Sequence, residues 1–233
     1  MSLTTWLISY YKFDEWSWTT AFDSVGSNDG TLISSSFTSW KINNSVQFNS
    51  TTARIEYWDY WVRTTNSNWI AFACWIYKTE SWRTFVIDQS ETNANWVWSF
   101  GVNATSRTLT FRRWGVSGGA FIQDSSIQIS NNSWQFIWFS FEWWTCKFFI
   151  NNSIENISSG SSSWALRWGK NAIWNRLLFW TWSDWLNWWK IDEAWIWNRE
   201  LTNTEITELW NSWNWLQYPF TSESSAWFIL KNF

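Results

Sequence analysis

Any chemistry this chain performs has to be sought among its acids. Histidine is absent, which removes His-dependent catalytic triads and histidine zinc sites, and the two cysteines, Cys74 and Cys146, offer no Cys-x-x-Cys spacing as a replacement. Both lie in or beside strand-like runs and read as buried small hydrophobes rather than a disulfide or a nucleophile. The acid whose setting demands most is Asp192. The run from Ile191 to Trp197 reads as a strand, whose alternation puts Asp192 with Ala194 and Ile196 on one face and Ile191, Glu193, Trp195 and Trp197 on the other. A carboxylate placed against a core must find a cation or several donors. Arg54 and Arg167 are candidate partners, and a bound metal is the alternative. Glu205 and Glu208 stand three apart but on a surface helix, where solvated charge is the ordinary case. With no carboxylate pair at a plausible spacing and no Gly-rich phosphate loop, the expectation is a protein that is not an enzyme. A sugar site would need aromatic faces beside acid or amide groups. Trp58, Asp59, Tyr60 and Trp61 form one such run, although aromatic residues in a sandwich more often fill the core.

These residues must be positioned by strands, because the helix signal is confined to one place. Leu201 precedes Thr202-Asn203-Thr204-Glu205, a capping box in which the Thr202 hydroxyl accepts from the Glu205 amide and the Glu205 carboxylate reaches back to the Thr202 amide. Leu201 and Ile206 take the two positions of a hydrophobic staple. Ile206, Leu209 and Trp210 give the helix one apolar stripe, which predicts a short helix from Asn203 to Trp210 lying against a sheet. Elsewhere short alternating runs are separated by polar turns: Leu7 to Phe13, Arg54 to Tyr57, Ile70 to Tyr77, Thr84 to Asp88, Val97 to Asn103 and Leu109 to Arg113, then a hairpin over Trp134 to Asn152. In that hairpin Ile137, Phe139, Phe141 and Trp143 share a face and read as core, and Asn156 to Ser163 reads as a Ser-rich loop. The pattern is that of an all-β, antiparallel β-sandwich of one domain with one short C-terminal helix.

Three blocks resemble the laminin G-like jelly-roll domains of the concanavalin A-like lectin/glucanase superfamily. The first is the closing strand Ile191-Asp192-Glu193 with Ile196-Trp197-Asn198-Arg199 and Leu201-Thr202, followed by its capped helix. The second is the opening, in which Asp14-Glu15 leads to Asp23-Ser24-Val25-Gly26 and Gly30-Thr31-Leu32. The third is Trp134 to Asn152, similar to W-H-H-V-x-x-x-Y-D-G-x-x-x-x-x-Y-V-N-G in spacing, with departures at Gln135, Phe136 and Asn152. The resemblance covers about residues 6 to 215. It implies a jelly-roll domain over residues 1–218 with a tail at 219–233, and the strand Leu7 to Phe13 beside Ile191 to Trp197. It also implies a structural Ca²⁺ between the opening loop and the closing strand, nominating Asp23, backbone oxygens around Asn28 and Gly30, and Asp192, since oxygen-only ligands suit that ion. The implied function is a non-catalytic carbohydrate-binding or adhesion module, extracellular or at a cell surface, whose partner is a glycan or a surface protein. A structural or protein-binding module of a larger assembly is the alternative. The glucan-cleaving members share an E-x-D-x-x-E motif, and no Glu here begins one.

Composition excludes other classes. Charged residues are 15 % and the net charge is -3, without a basic footprint for nucleic acid. The apolar runs fall well short of the roughly 20 residues a membrane span needs, so no membrane insertion is expected, and the N-terminus shows no signal-peptide pattern. The abnormal feature is 30 Trp against 8 Gly, where a chain of ordinary composition, about 7 % glycine, would hold about 16. Trp stands where turn chemistry asks for Gly: Asp14-Glu15-Trp16-Ser17-Trp18 resembles D-E-G-S-G, Asn211 to Trp215 resembles N-S-G-N-G, and Glu142-Trp143 resembles D-G. The expectation is that many of these Trp are UGA codons read as Gly in the source organism. A real Trp-rich protein is the alternative, and the coding DNA decides between them.

Overall fold

The computed structural model describes residues 2–40, 43–50, 53–58, 69–79, 84–92, 95–103, 105–114, 120–142, 145–158, 176–180, 189–211 and 216–219. In chain order the strands are β1 (Leu7–Tyr11), β2 (Thr20–Ala21), β3 (Gly30–Ile33), β4 (Ser35–Trp40), β5 (Asn43–Phe48), β6 (Arg54–Trp58), β7 (Trp69–Tyr77) and β8 (Thr84–Thr92). They continue as β9 (Asn95–Val102), β10 (Thr108–Trp114), β11 (Ala120–Gln128), β12 (Trp134–Glu142), β13 (Thr145–Ile150), β14 (Ser153–Ser158), β15 (Arg176–Trp180) and β16 (Lys190–Trp197). The helix α1 (Asn203–Trp210) follows.

Among the described residues two eight-stranded sheets result, and every pairing in them is antiparallel. The first runs β14-β13-β12-β7-β16-β5-β4, with β1 also on β16; the second runs β11-β10-β9-β8-β15-β6-β3-β2. Side chains from both meet in one core. It holds Phe72, Cys74, Ile76, Ile137, Phe139, Phe141, Phe148 and Ile196 from the first sheet, and Leu32, Ile55, Tyr57, Phe100, Val102, Leu109 and Phe111 from the second. Phe100 stacks on Phe139 at 4.3 Å, and Phe111 on Phe141 at 4.8 Å. On β6 the alternation is inward Ile55 and Tyr57 against half-buried Arg54 and Glu56, which pair with each other, as expected of a sheet with one buried face.

The first sheet is apolar on both faces. Ala71, Ala73, Trp75, Phe136, Trp138, Phe149, Trp195 and Trp197 form a second cluster with Leu3, Leu201, Ile206, Leu209 and Trp210, so the outward side of that sheet is covered by α1 and the N-terminal segment. The capping box is present: Glu205 N donates to Thr202 Oγ1 at 3.2 Å, and Thr202 N to Glu205 Oε2 at 2.9 Å. Leu201 and Ile206 are both fully buried, completing the staple, and Asn211 closes the helix in the left-handed region. Replacing Thr202 by Ala should cost about 1 kcal/mol, measured as a lower denaturant midpoint at unchanged slope. An unchanged midpoint would mean the cap contributes nothing to holding α1 on the sheet.

Four expectations need correction. Glu205, expected with Glu208 as solvated charge on the surface of the helix, is buried and paired with Arg199. The first strand ends at Tyr11 rather than Phe13, whose φ of 60° takes the chain out of the ladder. Asn156 to Ser158 belong to β14, paired to β13, so the Ser-rich stretch is strand at its start. The simple alternation along β16 is broken by a β-bulge between Asp192 and Trp195, with Glu193 at φ 49°. The extra residue puts Ile191 in the inter-sheet core with Ala194 and Ile196, while Trp195 and Trp197 face outward under α1. Both cysteines are buried and free, and burial pushes both thiols well above their usual range.

Candidate functional site

The bulge of β16 lies where its neighbour changes. Lys190 and Ile191 pair with β5, whereas Ala194 to Trp197 pair with β1, so Asp192 and Glu193 occupy the junction of three strands. The chain leaving β1 passes beside this junction and is tied to the β4–β5 hairpin. Asn44 Nδ2 donates to the carbonyls of Asp14 and Glu15, both at 3.1 Å, and Asn43 Nδ2 donates to Asp14 Oδ2 at 3.1 Å. Asp192 and Glu193 are 2 % and 3 % exposed.

Burial drives the Asp192 carboxyl well above the carboxylate range, and the nearby charges of Glu193, Asp14 and Glu15 push it the same way. Glu193 rises to about 8, again chiefly by burial, although its two hydrogen-bond donors resist. Those donors are Tyr10 Oη, to Oε2, and Gln217 Nε2, to Oε1 at 2.5 Å. Tyr218 meets the Tyr10 ring edge-on at 6.1 Å, so this network also fastens the segment after α1 to β1. Arg54, one of the two arginines suggested for Asp192, pairs with Glu56; Arg167 lies outside the described residues.

The other nominated oxygen ligands form a loop of their own. Asp23 Oδ1 accepts from the amides of Tyr10 and Val25, both at 3.0 Å, and Oδ2 from that of Asn28 at 3.3 Å. The Asn28 carbonyl accepts from Tyr11 Oη at 2.5 Å, and its side chain donates to Ser9. Gly30 opens β3, where an added Cβ would lie 2.6 Å from Ile55 Cγ2. The structure therefore brings Asp23 and Asn28 together with β1 as a hydrogen-bonded turn, leaves Gly30 on β3 opposite Ala21 and Tyr57, and gives Asp192 the carboxylates of Asp14, Glu15 and Glu193 as its electrostatic neighbours. Asp14 and Glu15 were legible as part of the opening block, but nothing local in the sequence announces that they approach Asp192. Among the described residues no group of three or more His, Cys, Asp or Glu side chains could hold a metal ion, so a cation at Asp192 would need backbone oxygens as well.

Gly26 is the turn residue on which this loop depends. A Cβ there would sit 2.7 Å from Asp23 Oδ2 and 3.0 Å from the Ile8 carbonyl, a backbone atom that cannot swing aside. Gly26→Ala should lower the melting temperature by several degrees, and Asp23→Ala should do the same by removing the acceptor shared by two amides. If both variants melt with the parent chain, the turn does not hold β1 in place. Of the sugar-site run, Trp58 ends β6 in the second sheet, and Asp59, Tyr60 and Trp61 lie outside the described residues.

The described residues form an all-β scaffold of two antiparallel sheets. No family model matches the sequence, and no curated protein does. Solved structures do match in fold. The binding domain of Paraclostridial Mosquitocidal Protein 1 superposes with a TM-score of 0.71 at 15 % identity, over 91 % of this chain and 53 % of that one. The binding domain of botulinum neurotoxin DC, solved in complex with rat synaptotagmin II, gives 0.69 at 16 % identity over 93 % and 53 %. A structure described under the statement that cell entry of botulinum neurotoxin type C depends on interaction with two ganglioside molecules gives 0.67 at 17 % identity over 91 % and 52 %. The chain thus spans about half the length of these solved structures and shares their fold over that half.

Proposed function

We infer that the chain is a non-catalytic recognition module of laminin G-like, jelly-roll architecture that binds a glycan. The observation that carries this reading is the shared fold, over nine tenths of the chain, with toxin structures whose descriptions name two ganglioside molecules in one case and a complex with rat synaptotagmin II in another. The absence of histidine supports the non-catalytic part, as it leaves no ordinary general base near neutral pH. The site rests on Trp58, Asp59, Tyr60 and Trp61 at and beyond the end of β6, which combine stacking faces with an acid acceptor. The protein would work outside the cell or on its surface. A structural Ca²⁺ at Asp192 belongs to the same reading, supported by the burial of that carboxylate among other acids.

Immobilised glycans probed with the purified chain test the reading. Saturable binding to at least one sialylated or neutral glycan, lost in Tyr60→Ala, is the expected result. Silence across all glycans would overturn it and leave the protein-binding alternative, which the synaptotagmin complex of a structural neighbour favours. Release of reducing sugar from a β-glucan would overturn the non-catalytic reading.

A further inference from the structure

We propose that Trp138 and Trp195 stand at positions the natural protein fills with glycine, and that α1 lies in a trough of small residues on the outward face of the first sheet. A tryptophan selected for an interior brings a large ring and an indole N–H, and the N–H finds an acceptor. Trp197 shows this on the same strand as Trp195: its Nε1 donates to the Leu3 carbonyl at 2.7 Å. Trp138 and Trp195 are as deeply buried, 0 % and 1 % exposed, yet among the described residues neither indole N–H has an acceptor. Trp195 does stack on Tyr10, at 5.2 Å, so its ring is accommodated while its polar atom is stranded.

The register gives the two positions a common meaning. Trp138 on β12 and Trp195 on β16 both pair with Ala73 of β7, one from each side, directly in the layer covered by α1. β7 itself contributes Ala71 and Ala73 to that layer. Glycine at 138 and 195 would make a Gly-Ala-Gly rung bordered by the rings of Tyr10 and Phe149, which pair with 195 and 138 in turn. Such a rung is a groove into which the stripe Ile206, Leu209 and Trp210 can settle.

A separate observation on the surface points the same way. Trp16 and Trp18 are 82 % and 69 % exposed, and Trp6 is 65 % exposed with a φ of 59°, a backbone conformation glycine adopts without strain. Indoles stranded inside and indoles held in water, in a chain with 30 Trp and 8 Gly, share one explanation: a UGA codon printed as tryptophan and read as glycine in the source. Trp189 also lacks an acceptor, but its ring stacks on Phe48 within the inter-sheet core, so packing does not separate the two readings there.

Two measurements test the proposal. The coding DNA should carry UGA at 138 and 195 and UGG at 197; UGG at 138 or at 195 overturns it. Independently, the Trp138→Gly/Trp195→Gly chain should unfold at a denaturant midpoint equal to or above that of the parent, whereas Trp197→Gly should lower it severely. A double variant that loses as much as Trp197→Gly would show both rings to be ordinary core, and overturns the trough. The codons at 58 and 61 decide at the same time whether those two positions can offer stacking faces to a sugar.

Discussion

Arg199→Met should cost about 3–5 kcal/mol, the largest loss expected from any single polar replacement in this fold. The Arg199 guanidinium is forked onto Glu205, with Nη1 to Oε2 at 2.9 Å and Nη2 to Oε1 at 2.7 Å, and the two side chains are 10 % and 5 % exposed. Its remaining donors reach the carbonyls of Ser2, Thr5 and Glu200. One side chain thus joins the N-terminal segment, the end of β16 and the start of α1. Removing it leaves a buried carboxylate without its counter-ion beside three orphaned carbonyls, a far worse state than the absence of the whole pair. Burial alone would raise the Glu205 carboxyl, but its hydrogen bonds to Arg199 and Thr202 outweigh that and hold it below its ordinary value. The pair's contribution is therefore complete above the unfolded carboxylate range and is lost as pH falls through the lowered value. Urea unfolding at neutral pH measures the effect. In Arg199→Met/Glu205→Leu much of the loss should return, because two apolar side chains can replace a buried pair. A loss under about 1 kcal/mol in the single variant would show that water, not protein, solvates this pair.

The second large effect is one of pH, and its sign separates two ways of neutralising the acids at the three-strand junction. With protons alone, Glu193 titrates near 8 in the folded chain and in the ordinary carboxylate range when unfolded. The native state then binds the extra proton across that window, so stability is greatest at its acidic end and falls as pH rises toward 8. Glu193→Gln should flatten the slope, since the amide can still meet Tyr10 and Gln217. With Ca²⁺ bound, the carboxylates must be ionised to serve as ligands, so stability should rise with pH over the same range and collapse on chelation. Melting curves between pH 5 and 8, with and without chelator, and in Asp192→Asn, distinguish the two. A melt insensitive to pH, chelator and Asp192→Asn would mean that the junction is hydrated and its acids ordinary.

What could be read from the sequence divides by distance along the chain. The capped helix was legible residue by residue, because a capping box and a staple are local devices spanning six positions, and Thr202, Glu205, Leu201 and Ile206 all take the places assigned to them. The β12–β13 hairpin was legible for the same reason, with Ile137, Phe139 and Phe141 in the core. The pairing of β1 with β16 is long-range, and only the resemblance of the opening and closing blocks to one family supplied it. The bulge at Asp192 was not legible: an inserted residue leaves no mark in a run where both faces are apolar, and strict alternation is the default. Nor was the approach of Asp14 and Glu15 to Asp192, which depends on how the chain leaves β1 and on two asparagines of β5. Arg199 was passed over although a signal existed, an Arg three residues before a capping Thr whose box ends in Glu.

The pairing of the first strand with the last also sets how the module answers to tension. Leu7 lies opposite Trp197 and Tyr11 opposite Ala194, so a pull exerted through the residues before Leu7 and after Trp197 enters the ladder from one end. Hydrogen bonds loaded in that direction open in succession, like a zip, instead of sharing the load as they would in shear. The Arg199 fork stands at the mouth of that zip, gripping Ser2 and Thr5, and is the catch that must fail before β1 can peel away. A chain held at both ends would let go at low force, with Arg199 setting the threshold.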